Sequence, residues 1–138
     1  MLETRSTSDD LYNLYHDQEK KRDILKIPQY VLTSVESKSL YQHIRNVLKH
    51  FDHDFDNTVV DTYAFGKVLS SDKLINVIYY YLIDETKDLE QTKKNITLYV
   101  LTQVEMIYKR NDHHIFKPQV YLEYIDRLIN RILALKHH

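Results

Sequence analysis

Residues 71–83, SDKLINVIYYYLI, constrain this chain more than any other stretch. Leu74, Ile75, Ile78, Tyr81 and Leu82 recur at helical spacing, and Val77, Ile83 and two further tyrosines fill most positions between them. A helix apolar on nearly every side is stable only where neighbours cover it all round, so this segment is expected to be central. The flanking segments each carry one apolar stripe, the pattern of amphipathic helices gathered about such a centre. One glycine and two prolines in 138 residues leave too few turn formers for an all-β fold. The expected fold is all-α: a single compact bundle of five or six helices, one domain over 1–138, with about the first 30 residues loosely packed.

A chain of this length can bury a core without covalent staples. It has no cysteine, which removes disulfides, thiol nucleophiles and thiolate zinc sites and is compatible with a reducing cytosol. Nineteen basic residues against twenty acidic ones give a formal charge of −1, so the chain as a whole has no electrostatic pull toward nucleic acid or an anionic membrane. The opening MLETRSTSDD has no apolar core of the kind a signal peptide needs, and no run approaches the roughly 20 apolar residues of a spanning helix. A soluble, cytoplasmic protein with no membrane contact is the expectation. Twelve tyrosines without a tryptophan are unusual, and tyrosine suits half-buried surfaces with a wet hydroxyl.

Taken in order, Ser6, Thr7 and Ser8 followed by Asp9 and Asp10 open a first helix that Pro28 closes, with Leu11, Leu14, Tyr15 and Leu25 as an interrupted stripe. From Ser37 the stripe sharpens through Leu40, Ile44, Val47, Leu48 and Phe51, with Arg45, Asn46, Lys49 and His50 off it. A short helix over 58–69 carries Val59, Val60, Tyr63 and Phe65 and holds Gly66, the single glycine. Ser70 or Ser71 caps the central helix. A long helix to about Arg110 follows, with Leu89, Ile96, Tyr99, Val100, Val104 and Ile107 inward and a Glu105–Lys109 pair outward. Pro118 is placed to begin the last helix, whose Tyr121, Ile125, Leu128, Ile129, Ile132 and Leu135 give the cleanest stripe.

Three constellations carry chemical suggestions. Arg45-Asn46-Val47-Leu48-Lys49-His50 reads R-N-x-x-x-H and resembles the signature of HEPN-type ribonucleases. That resemblance implies Arg45 at the scissile phosphate, His50 in acid–base work and Asn46 orienting them, with RNA as substrate and a dimer as the working unit. Asp52, Asp54 and Asp56, with Asn57 and Val59 after them, resemble positions 1, 3, 5, 6 and 8 of a calcium-binding EF-hand loop, although position 12 is Tyr63 and not glutamate. His53-Asp54 is similar to the doublet of HD-type phosphohydrolases, and His50 stands three residues before His53. One glycine rules out a glycine-rich phosphate or dinucleotide loop, so no cofactor is expected.

No set of residues compels an enzyme. The leading expectation is a small helical interaction or regulatory module that binds another protein, with self-association as one form of it. A HEPN-like ribonuclease using Arg45, Asn46 and His50 stands second, and a divalent-cation loop at Asp52, Asp54 and Asp56 third. The module reading expects an exposed apolar or tyrosine-rich patch.

Overall fold

Capping side chains and apolar spacing divide the chain into helices, and the computed structural model describes residues 7–26, 35–52, 62–84, 86, 88–110 and 116–136. Among the described residues there are seven helices and no strand: α1 (Thr7–Tyr15), α2 (Gln18–Leu25), α3 (Val35–Asp52), α4 (Thr62–Leu69), α5 (Asp72–Ile83), α6 (Leu89–Arg110) and α7 (Pro118–Lys136). The fold is an all-α bundle.

The first expected helix is two. Asp17 leaves the helical region at φ −84° and ψ 105°, and its carboxylate accepts from the backbone N–H of Glu19 at 3.0 Å and of Lys20 at 3.2 Å. An aspartate that accepts from the N–H groups two and three residues on is a helix N-cap, and here it starts a new helix. The pair is better anchored than its charge-rich sequence suggests, because Leu11, Tyr15 and Ile24 are buried. Pro28 and the segments 53–61 and 111–115, where two connections are expected, lie outside the described residues.

Ser71 is the cap of α5, accepting from Lys73 N at 3.1 Å and Leu74 N at 3.4 Å. Eight of the twelve residues of α5 are buried, as its all-round apolarity requires. The element that meets most of the others, however, is α6, which packs against α1, α2, α4, α5 and α7, whereas α5 faces α3, α4 and α6. Every residue from 96 to 102 in α6 is buried, a belt of about two turns. Threonines make this possible. The hydroxyls of Thr92 and Thr97 donate to the carbonyls four residues earlier, at 3.0 Å to Asp88 and 2.8 Å to Lys93, so these side chains present methyl groups to the core with their polar atoms satisfied.

One inward assignment does not hold. Leu89 opens α6 half exposed at 48 %, before the helix enters the bundle. In α4, Ala64, Phe65, Val68 and Leu69 take the inward face, which turns Tyr63 outward at 55 % exposure. On the other side of α6, Glu105 accepts a hydrogen bond from the Tyr15 hydroxyl and lies 3.9 Å from Lys21 Nζ and 3.6 Å from Lys109 Nζ. The Glu105–Lys109 pair thus forms within a cluster that ties α1 and α2 to α6. Lys21 Nζ also sits 4.5 Å from the Tyr15 ring centroid. Across α6 and α7, Tyr108 and Tyr121 share a hydroxyl contact of 2.7 Å beneath Phe116, whose ring stacks on Tyr121 at 5.6 Å.

Candidate functional site

The R-N-x-x-x-H residues all fall on the exposed side of α3. Arg45 is already engaged: its Nη1 donates to Asp72 Oδ1 at 2.6 Å, and its guanidinium lies 5.8 Å from the Tyr41 ring centroid. The hydrogen bond to Asp72 raises the Arg45 pKa above its ordinary value and outweighs the opposing effect of burial. His50 Nδ1 lies 3.0 Å from the carbonyl of Asn46, while Asn46 Oδ1 accepts from Gln42 Nε2 at 3.3 Å. At 100° per residue, side chains five apart on a helix stand about 140° apart around the axis. A shallow cleft of about 220 Å³ between α3 and the end of α4 is lined by Arg45 and Asn46 but not by His50. The structure brings two of the three motif residues to one place and leaves the imidazole outside it.

Asp52 ends α3, and its carboxylate lies outside the described residues together with the whole of Asp54 and Asp56. No group of three or more histidines, aspartates and glutamates placed to hold a metal ion occurs among the described residues. His53 also lies outside them. No described helix is long and apolar enough to cross a membrane.

Two larger clefts remain. One, of about 370 Å³, runs between α1, α6 and α7; its lining mixes Glu90, Glu123 and Asp126 with Lys93 and Lys94, and Lys93 Nζ lies 3.9 Å from Asp126 Oδ1. Its lining therefore carries both signs of charge. The other, of about 360 Å³, lies between α4 and α6 and is lined by Tyr63, Lys67, Val68, Ser71, Gln103, Met106, Ile107 and Arg110.

This second cleft is made from two helix faces. Tyr63 and Lys67 are four residues apart on α4; Gln103, Met106, Ile107 and Arg110 follow the i, i+3, i+4, i+7 rule on α6. Five large apolar side chains stand exposed among the described residues: Tyr12, Leu25, Tyr63, Leu89 and Met106. Only Tyr63 and Met106 among them share a cleft, with Val68 buried and Ile107 half-buried beside them. Lys67 Nζ lies 5.6 Å from the Tyr63 ring centroid, close enough for a cation–π contact that steadies the ring.

Sequence reasoning misses this site, because Tyr63 and Met106 lie on different helices and no spacing within either one links them. The one signal is an apolar residue standing off the inward stripe of α6, in a face that ends on Arg110.

No protein-family model matches the chain, and neither a curated protein nor a solved structure matches it.

Proposed function

We propose that this chain is a helical interaction module that binds another protein through the cleft between α4 and α6. The observation behind the reading is the convergence of Tyr63 and Met106, 55 % and 41 % exposed, on one concavity whose floor includes Val68 and Ile107. Isolated exposed apolar residues are ordinary, whereas paired ones in a concave site carry a partner's side chain out of water. Tyrosine and methionine suit such a role, since one offers a large amphipathic ring that loses little entropy and the other a flexible thioether that adapts to different shapes. The volume, near the low end of the roughly 300–1,000 Å³ range of ligand pockets, fits one large side chain and not a dinucleotide.

The ribonuclease alternative stands behind this reading because Arg45 is held by Asp72 and His50 projects elsewhere on α3. A cation loop at Asp52, Asp54 and Asp56 has no described ligand set to support it.

Panning a random peptide library against the immobilised protein tests the module reading. Enriched peptides that bind the parent and lose binding to the Tyr63→Ser/Met106→Ser double variant support it. Failure to enrich any peptide sensitive to that variant rejects it, and RNA cleavage abolished by His50→Ala would move the assignment to the alternative. Each of these positions is exposed, so the variants retain the helical circular-dichroism signal of the parent.

A further inference from the structure

The charges around the α4–α6 cleft say more about its occupant than its shape does. Among the described residues, Lys67 and Arg110 are its ionisable lining residues besides the Tyr63 phenol, and no described carboxylate lines it. Neither of the other two clefts combines such charges with exposed large apolar side chains among the described residues. The cleft between α1, α6 and α7 is lined by three acids and two lysines, and Lys93 is paired with Asp126. The cleft beside α3 is lined by Lys49 as well as Arg45; its arginine is held by Asp72, and its apolar lining residues, Leu48 and Leu69, are buried. Glu105, one residue from Met106, faces away from the cleft toward Tyr15, Lys21 and Lys109.

Lys67 and Arg110 make no ion pair among the described residues, and their charges flank Tyr63 and Met106 from opposite helices. Two cations beside an apolar concavity, with no counter-charge among the described residues, favour an incoming carboxylate, while the same arrangement disfavours a basic segment by like-charge repulsion. The protein's overall charge of −1 provides no general attraction for acidic chains, so any such preference is local to this cleft.

Resting on the module reading above, we infer that the partner presents an acidic segment: one large apolar side chain that enters between Tyr63 and Met106, with aspartate or glutamate beside it reaching Lys67 and Arg110. The apolar anchor supplies most of the affinity and the carboxylates supply selectivity and orientation. Because both cations are exposed, the charge contribution is screened over about 8 Å at physiological ionic strength and weakens with added salt.

The test is a second selection. A random peptide library is panned on the parent and, separately, on the Lys67→Glu/Arg110→Glu variant. The inference expects parent-selected peptides rich in aspartate and glutamate around a single aromatic or aliphatic residue, and variant-selected peptides with the same anchor flanked by lysine or arginine. In fluorescence anisotropy the acidic peptides should bind the reversed variant on the order of tenfold more weakly, with the difference shrinking as salt is raised. Peptides that need Tyr63 and Met106 but show no charge bias, or the same bias on both proteins, overturn the acidic assignment and leave the module reading standing. An absence of any peptide that needs Tyr63 and Met106 removes both. Light scattering covers the remaining occupant: a dimer of the parent that dissociates on Tyr63→Ser would assign the cleft to a second copy of the chain and overturn the acidic partner.

Discussion

Tyrosine chemistry at single positions makes the bundle's stability depend on alkaline pH. Burial pushes Tyr81 up to about 12, helped by the neighbouring Tyr80, and burial likewise raises Tyr99. Tyr15 is raised further still, by burial first and then by its hydrogen bond to Glu105 and the charge of that carboxylate. Near neutrality the phenols of Tyr15, Tyr81 and Tyr99 are protonated in both folded and unfolded chains, so these shifts leave stability unchanged there. Above the ordinary phenol value of 10.0 the unfolded chain releases protons that the folded one retains. The unfolded state then binds fewer protons, and stability must fall as pH rises. Melting temperatures followed by circular dichroism should be flat to about pH 9.5 as far as these groups are concerned and drop beyond it. A flat profile through about pH 11 would mean that these hydroxyls are open to water.

At the scale of elements, the clearest lesson concerns what an apolar count can and cannot reveal. The boundaries of α5 and α7 were legible: a serine just before a dense apolar run and a proline before a regular stripe both mark helix starts by satisfying or removing orphan N–H groups. Replacement of Ser71 by alanine should therefore cost about 1 kcal/mol in chemical denaturation, the usual loss for a hydroxyl cap. A variant as stable as the parent would show that another group caps α5. The place of α6 was less legible, since Thr97 and Thr102 read as polar letters while their side chains lie in the core. Helix periodicity assigns residues to faces and says little about how many neighbours a face will meet. Asp17 was hidden for a related reason: within a run of charged residues, a capping carboxylate looks like any other solvated acid.

For the molecule as a whole, the all-α bundle could be read from composition and stripes, but the α4–α6 cleft could not. Tyr63 and Met106 belong to different helices, and only packing makes them neighbours. The HEPN-like run is local by contrast: its Arg45, Asn46 and His50 share the exposed side of one helix, with Arg45 and His50 about 140° apart around the axis. The belt of α6 from 96 to 102, enclosed on every side, has a kinetic consequence. Its amide protons can reach solvent only when the neighbouring helices separate, so native-state hydrogen exchange should find them among the slowest, near the global opening free energy. Residues 106–110 lie beyond that enclosure, where end fraying sets a faster clock; a ligand seated on Met106 would slow exchange in that last stretch first, while the enclosed amides, already limited by global opening, would follow only the total gain in stability.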